Sequence, residues 1–215
     1  MEELKHMDNP WLIIPASDYE GHMRLPGVNQ WSFLGDLLRE SLDKCDSKSF
    51  AYLGCATGNG LEHIRNDKTH KVTAIDINPE YLSILRNRYQ RKIPNLEIVE
   101  TDLNDYQGNG QRYDLIFAGL LFEYLAPGPL LKKISTWLEN AGVMVVVLQL
   151  QDKHVKKVSD TPYSSLKRLD PVMNLISDQN FKLLAEKSGM KELEGKRFIL
   201  ESGKSFYVGV FGKTS

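Results

Sequence analysis

Alternating small residues between positions 54 and 60 are the first feature of this chain that could do chemistry. The run Phe50–Ile64 reads FAYLGCATGNGLEHI, which predicts a buried strand, a glycine-rich turn and then a helix. Such a turn presents backbone N–H groups and a helix N-terminus against which a ligand can lie. Eleven residues after the last glycine of the turn, the run Lys71–Asp76 begins, and it predicts a second strand that ends in a carboxylate. A turn of this kind followed by an acid at the tip of the next strand is typical of a nucleoside-binding site.

The spacing of the small residues separates two kinds of nucleotide site. They stand at Gly54, Ala56, Gly58 and Gly60, in a G-x-A-x-G-x-G pattern. A dinucleotide-binding turn needs G-x-G-x-x-G, and its third glycine would fall on Asn59 when counted from Gly54. This mismatch counts against a nicotinamide oxidoreductase. The alternating pattern resembles motif I of the class I S-adenosylmethionine-dependent methyltransferases.

Later segments extend the resemblance in the order that the family requires. The family has a polar residue after its third strand, a fourth strand that ends beneath the transferred methyl group, a long fifth strand and a terminal hairpin. The matching segments are Glu97–Thr101 with Asp102 and Leu103, Tyr113–Ala118 with Gly119, Gly142–Leu150, and Lys196–Gly212. Several elements in the right order are a more specific signal than a single glycine motif.

The resemblance implies S-adenosylmethionine as the cofactor and assigns the residues that would bind it. The glycine turn would enclose the methionine part, Asp76 would bond both ribose hydroxyls, and Asp102 with Leu103 would lie beside the adenine. The predicted cofactor-binding residues are Gly54, Ala56, Gly58, Asp76, Ile77, Asp102, Leu103 and Gly119.

Tyr52 departs from the family pattern, because many members have an acid two residues before the first glycine. That acid orders the turn or meets the amino group of the cofactor. The group that holds the methionine ammonium is therefore unassigned. Carbonyls of Gly54 and Gly119, or a side chain of the N-terminal segment, are the candidates.

Methyl transfer asks mainly for alignment of nucleophile, methyl and sulfur and for exclusion of water. A base is needed only when the acceptor is an alcohol, a phenol or a protonated amine. The predicted catalytic residues are Tyr19 and His22 from the predicted N-terminal lid, and Glu123 and Tyr124 after the fourth strand. His22 has the side chain that titrates near neutral pH, although a lone histidine in a polar segment is more often a surface residue.

These motifs need an α/β fold, and the strand–helix alternation predicts one. We expect a doubly wound, mostly parallel, seven-stranded sheet with helices on both faces and an antiparallel C-terminal hairpin. The chain of 215 residues has the length of a single domain. Within it we predict an N-terminal lid and helix at 1–48, a cofactor-binding core at 49–150, and a substrate-side insertion, helix and hairpin at 151–215.

The composition of the chain indicates which kinds of partner and which location to expect. The net charge of −1 argues against a nucleic acid, and the basic run Arg86–Lys92 is interpreted as a solvated helix face. The charged N-terminus and short apolar runs predict neither a signal peptide nor a membrane span. Cys45 and Cys55 predict no disulfide framework, so a cytoplasmic location is expected. No metal-ligand spacing is present, and the oligomeric state stays open.

The leading hypothesis is a methyltransferase that acts on a small molecule at O, N, S or C. The alternatives are a non-catalytic or regulatory S-adenosylmethionine-binding protein, and a methyltransferase for protein or RNA. Ala118–Leu121 lacks the motif of the amino-group methyltransferases that act on DNA bases or glutamine. An acceptor pocket lined by Trp11, Tyr19, Phe122 and Tyr124 would suit an aromatic or apolar acceptor.

Overall fold

The computed structural model describes residues 9–152 and 154–214, so residues 1–8 of the predicted N-terminal segment lie outside the described residues. Seven strands form one sheet in the order β3-β2-β1-β4-β5-β7-β6. The strands are β1 (Ser49–Leu53), β2 (Lys71–Asp76), β3 (Leu96–Glu100), β4 (Tyr113–Gly119), β5 (Leu138–Gln149), β6 (Met190–Ile199) and β7 (Ser205–Lys213). Strands β1 to β5 pair in parallel, and β7 pairs antiparallel with both β5 and β6. The predicted mostly parallel sheet with a terminal hairpin is confirmed.

Five α-helices flank the sheet. They are α1 (Ala16–Arg24), α2 (Gln30–Lys44), α3 (Pro79–Tyr89), α4 (Pro127–Trp137) and α5 (Asp178–Lys187). Helix α3 begins as its sequence predicts, because the side chain of Asn78 accepts a hydrogen bond from the backbone N–H of Tyr81 and Pro79 occupies the first turn. No helix within the described residues is long and apolar enough to cross a membrane.

Alternation along the strands divides the core between the two faces of the sheet. On β1, Phe50 and Tyr52 contribute to the cluster that contains the apolar stripe of α2 and the buried face of α3. Ala51 and Leu53 contribute to the opposite cluster, which contains residues of α4 and α5. Tyr52 packs edge-on against Phe117, with ring centroids 5.5 Å apart. The residue that departs from the family motif is therefore a core aromatic.

The helix predicted after the glycine turn is wrong. Leu61–His63 form a single turn of 3₁₀ helix, and turns connect it to β2. Gly58 and Gly60 have φ values of +86° and +87°, a conformation that does not propagate a right-handed helix. Helix α2 covers this part of the sheet instead, since a Cβ added at Gly60 would lie 2.8 Å from a methyl of Leu38.

Candidate active site

A cavity of about 360 Å³ opens at the carboxyl ends of the parallel strands, where open α/β sheets bind their ligands. Its walls bring together seven predicted cofactor residues. They are Gly54, Ala56, Asp76, Ile77, Asp102, Leu103 and Gly119. Three of the four predicted catalytic residues, Tyr19, His22 and Tyr124, line the same cavity. Residues far apart in the sequence thus share one site.

Asp76 connects the glycine turn to helix α3. One carboxylate oxygen accepts the backbone N–H of Ala56 at 2.8 Å, and the other accepts that of Asn78 at 2.9 Å. Desolvation raises the pKa of Asp76 above its usual value, against the opposing effect of these backbone donors. A carboxylate oxygen can accept more than one hydrogen bond, so Asp76 retains acceptor capacity toward the cavity. Two neighbouring hydroxyls of a ribose would use that capacity.

Ala56 has a φ of +45°, which is uncommon for a residue with a side chain. Its hydrogen bond to Asp76 holds the turn in this conformation. The backbone N–H groups of the turn are therefore partly used within the protein. Those of Gly54 and Cys55 also donate to the carbonyl of Ile75, at 2.9 and 3.1 Å. What remains for a ligand at this turn is the small surface of Gly54 and Ala56.

Gly58 does not line the cavity, so the structure does not bring it together with the other seven predicted cofactor residues. It has a φ of +86°, and an added Cβ would lie 2.9 Å from the ring of Tyr89 on α3. Glycine at this position allows the turn to pack closely against helix α3. Its role is structural.

The N-terminal segment, predicted to form a lid, lines the cavity and contacts the start of helix α3. The side chain of Asn78 donates to the carbonyl of Trp11 at 2.6 Å. The hydroxyl of Tyr81 donates to the carbonyl of Ile14 at 2.9 Å. Both donors belong to the start of α3, so the segment is fixed to the same helix end that Asp76 caps.

Glu20 fastens helix α1 to two other elements. Its carboxylate accepts hydrogen bonds from the hydroxyl of Thr57 in the glycine turn and from both terminal nitrogens of Arg88 on α3. Although burial opposes the effect, the hydrogen bonds from Arg88 and Thr57 hold the pKa of Glu20 below its usual value. Glu20 is therefore an ionised anchor of the lid.

Aromatic side chains form one wall of the cavity. Tyr19 stacks on Tyr81 with centroids 5.4 Å apart, and Trp11 lies edge-on to Tyr124 at 5.0 Å. Phe122, predicted for this wall, is buried against Phe181 and does not line the cavity. Burial raises the pKa of both Tyr19 and Tyr124 well above the usual range. At neutral pH these phenols can donate hydrogen bonds but cannot act as bases.

His22 lines the cavity and is 5% exposed. Its Nδ1 lies 3.0 Å from the hydroxyl of Thr161, which belongs to the segment after β5. Burial, assisted by the nearby charge of Lys204, lowers the pKa of His22 to about 4. The ring is neutral at physiological pH, and it can accept a hydrogen bond or a proton only as a weak base.

Glu123 is 1% exposed and does not line the cavity, so the structure does not bring it together with the other three predicted catalytic residues. Oε1 accepts the backbone N–H of Gln149 at 2.7 Å, and Oε2 has no hydrogen-bond partner among the described residues. Burial raises the pKa of Glu123 to about 7. The carboxyl group is thus held against the end of β5.

Three polar residues that line the cavity near the end of β5 and the start of β7 were not predicted from the sequence. Lys204 donates to the carbonyl of Lys157 at 2.6 Å and to Oε1 of Gln149 at 3.3 Å, and all three line the cavity. Burial lowers the pKa of Lys204 to about 8. In the sequence, Ser202-Gly203-Lys204 reads only as a hairpin turn, so no local signal indicated a site residue.

Apolar residues from the segment after β5 complete this part of the cavity wall, among them Val158, Leu166, Leu169 and Met173. Ser165 donates to a carboxylate oxygen of Asp18 at 2.6 Å, which joins the segment to helix α1. No group of three or more His, Cys, Asp or Glu side chains in the described parts of the chain could hold a metal ion.

Comparisons with known proteins agree with this geometry. Residues 51–142 match the family described as "Methyltransferase domain". Over 137 residues the chain is 28% identical to pavine N-methyltransferase of Thalictrum flavum subsp. glaucum; the match covers 62% of this chain and 37% of that protein. The chain thus spans well under half the length of this relative.

Solved structures show the same fold at low sequence identity. The N-methyltransferase NodS of Bradyrhizobium japonicum WM9, in complex with S-adenosylhomocysteine, aligns with a TM-score of 0.66 at 16% identity, over 86% of this chain and 88% of that one. The [4+2]-cyclase SpnF aligns with a TM-score of 0.65 at 11% identity, over 84% and 80%. Residues 51–142 are thus similar to a methyltransferase domain, and the fold of the chain is that of the class I S-adenosylmethionine-dependent methyltransferases.

Proposed function

We propose that the protein binds S-adenosylmethionine and transfers its methyl group to a small-molecule acceptor. The observation that carries the proposal is a cavity whose one end has Asp76 at the tip of β2 and whose other end is a wall of aromatic, apolar and polar side chains. A bound sulfonium cofactor would supply the electrophilic methyl group. The chain's own residues would bind, orient and exclude water.

At the cofactor end, the residues present fit a nucleoside. Asp76 has acceptor capacity left for two hydroxyls, and Ile77, Asp102 and Leu103 form the neighbouring wall. Gly54 and Gly119 provide backbone surface between this end and the acceptor end. The methionine ammonium would be held by carbonyls of this surface, since Tyr52 is buried in the core.

At the acceptor end, the site offers alignment and exclusion of water more than proton abstraction. Tyr19 and Tyr124 are protonated at neutral pH, and His22 is a neutral, weak base. Such a site favours an acceptor atom that is already nucleophilic at neutral pH. Where a proton must be removed, His22 is the side chain on the cavity wall that could accept it.

The proposal extends to the partners and setting of the protein. A net charge of −1 and a cavity of about 360 Å³ support a small molecule over a nucleic acid. Two cysteines with free thiols, Cys45 and Cys55, support a reducing compartment such as the cytoplasm. Because the N-terminal segment and the segment after β5 both contribute walls to the cavity, we propose that the chain functions as a single domain.

A protein that binds the cofactor without transferring its methyl group is the second candidate. The structural similarity to a [4+2]-cyclase illustrates that this fold accommodates other chemistry. Product formation separates the two candidates. Incubation with isotopically labelled S-adenosylmethionine and a small-molecule library is expected to yield a labelled product; cofactor binding with no labelled product would favour the second candidate.

The cofactor site is tested by calorimetric titration with S-adenosylmethionine, S-adenosylhomocysteine and NAD. We expect the two sulfur nucleosides to bind and NAD to fail. Asp76→Asn should weaken binding about 10- to 100-fold, because the new amide would oppose the N–H of Ala56 or Asn78 and lose charged hydrogen bonds. Asp105→Asn changes an exposed acid outside the cavity and should leave affinity unchanged. Preferential binding of NAD, or equal effects of the two variants, would contradict the assignment.

A further inference from the structure

Lys204 is a buried cation that has no carboxylate partner among the described residues. Its residue is 3% exposed, and it lies in none of the ion pairs formed by residues 9–152 and 154–214. The ammonium donates to two neutral oxygens, the carbonyl of Lys157 at 2.6 Å and Oε1 of Gln149 at 3.3 Å. An ammonium group has three donors, so one remains for a ligand in the cavity that Lys204 lines.

Burial of an unpaired charge is unfavourable, and proteins seldom retain it without a counter-charge. Burial lowers the pKa of Lys204 to about 8 for this reason. At pH 7 the ammonium form still predominates. Glu123, in the turn after β4, accepts the backbone N–H of Gln149 and forms no ion pair with Lys204. The described residues thus supply a positive charge and hydrogen-bond donor, and no anion to match it.

The position of Lys204 in the sheet assigns it to the acceptor end. It precedes β7, which lies beside β5, whereas Asp76 ends β2. Four strand spacings separate β2 from β7, a distance of about 19 Å. A nucleoside held at Asp76 would leave Lys204 facing the far end of the cavity.

The residues around Lys204 indicate the chemistry that the rest of a ligand should have. Lys157, whose ammonium donates to the carbonyl of Met173 at 2.9 Å, adds a second cation to this wall. Apolar side chains of Leu166, Leu169 and Met173 and the ring of Tyr124 surround the remaining space. A ligand with an apolar or aromatic body and one anionic group matches this wall, and a cationic amine would meet repulsion.

We propose that Lys204 binds a carboxylate of the methyl acceptor, so that the acceptors are aromatic or alicyclic carboxylates. This inference rests on the proposed function, since it names the substrate class of the same site. Lys204 is a specificity-determining residue in this scheme: it holds the acceptor by its anionic group and leaves the methyl transfer itself to the groups nearer β4.

The test compares three probes with one ring system and different charge: 2-naphthoate, 2-naphthamide and 2-naphthylmethylammonium. Each is titrated calorimetrically into the full chain, with and without saturating S-adenosylhomocysteine. We expect the carboxylate to bind at least about tenfold more tightly than the amide and the ammonium to bind most weakly, in line with one charge-assisted hydrogen bond.

Variants identify the group responsible. Lys204→Met and Lys204→Gln should each abolish the preference for the carboxylate, while Lys196→Met, which removes an exposed lysine of β6, should preserve it. Thermal melting establishes that each variant is folded, and two replacements are used because one could fold poorly. Affinity for S-adenosylhomocysteine should stay within about twofold in all of them.

Several results would overturn the proposal. They are equal binding of carboxylate and amide, tighter binding of the ammonium, absence of binding by all three probes, or a carboxylate preference that survives in folded Lys204 variants. Loss of S-adenosylhomocysteine affinity in those variants would also overturn it, because the cation would then serve the cofactor's own carboxylate. If the unaltered protein fails to bind S-adenosylhomocysteine, the proposed function falls, and the titrations without it still decide whether Lys204 binds a carboxylate.

Discussion

At the scale of single residues, the site contains polar groups whose burial changes their protonation. Desolvation lowers the pKa of His22 to about 4 and that of Lys204 to about 8, and it raises that of Glu123 to about 7. His22 and Lys204 line the cavity, where a ligand can compensate for lost hydration. Glu123 does not, so its effect is expected in stability.

Glu123→Gln should flatten the pH dependence of stability. The folded state raises the pKa of this carboxyl from the usual 4.5 to about 7, so between these values the folded protein binds more protons than the unfolded chain. The free energy of unfolding therefore falls as pH rises through this window. We expect the loss between pH 5 and pH 8 to be smaller in the variant by roughly 2 kcal/mol.

Urea unfolding at pH 5 and pH 8 measures this difference. Glu100→Gln is the matched control, since Glu100 is exposed at the end of β3. Equal pH dependence in Glu123→Gln and in the unaltered protein would show that the buried carboxyl is not the titrating group.

At the scale of elements, helix α1 is the part of the lid whose position depends on hydrogen bonds from polar side chains. Glu20 joins it to the glycine turn through Thr57 and to α3 through Arg88. Asp18 joins it to the segment after β5 through Ser165. These hydrogen bonds link the lid to elements at both ends of the cavity. Local opening of α1 would therefore expose both ends of the cavity to solvent.

Glu20→Gln should loosen the lid and weaken cofactor binding. The neutral side chain loses the charged hydrogen bonds of Arg88, a loss of about 1.5 kcal/mol or more. We expect faster amide hydrogen exchange over Ala16–Arg24 and an S-adenosylhomocysteine affinity about tenfold lower.

Asp36→Asn provides the control, because it removes an exposed ion pair with Arg39 within helix α2. Exposed pairs of this kind contribute little to stability, so both measurements should stay unchanged. Unaltered hydrogen exchange in Glu20→Gln would contradict the assignment of Glu20 as an anchor.

At the scale of the whole molecule, two segments far apart in the sequence contact each other beside the cavity. Gly21 on α1 lies so close to Tyr163 that an added Cβ would overlap the phenol ring. Beside this contact, His22 pairs with Thr161. This side of the cavity is therefore held together by packing between the two segments as well as by their contacts with the sheet.

Gly21→Ala should destabilise the protein by about 1 kcal/mol, because overpacking outweighs the gain in helix propensity. Adding Tyr163→Ala should remove the overlap, so the double variant should lose less stability than the sum of the losses in the two single variants. Gly27→Ala is the control, since nothing lies within 4 Å of its added Cβ. Urea unfolding of the single and double variants measures these effects; strictly additive losses at positions 21 and 163 would contradict the contact.

Local patterns determined the sheet and the cofactor end of the site. Alternation of apolar residues, the turn at Gly54 and the acid at Asp76 are features of short segments, and parallel strands bring their carboxyl ends to one edge whatever the rest of the chain does. Asp102 and Leu103, which the family resemblance placed after the third strand, line the cavity at the same edge.

Tertiary structure alone decided the acceptor end. Whether Phe122, Glu123 or Tyr124 faces the cavity depends on the rotation of one short turn, and only Tyr124 lines it. Lys204 stands 55 residues after Gln149 in the chain, yet the two hydrogen-bond because β7 inserts antiparallel beside β5. Sequence specifies what each segment prefers, whereas side-chain burial and charge pairing arise between segments, and these interactions determined which polar groups lie at the acceptor end of the cavity.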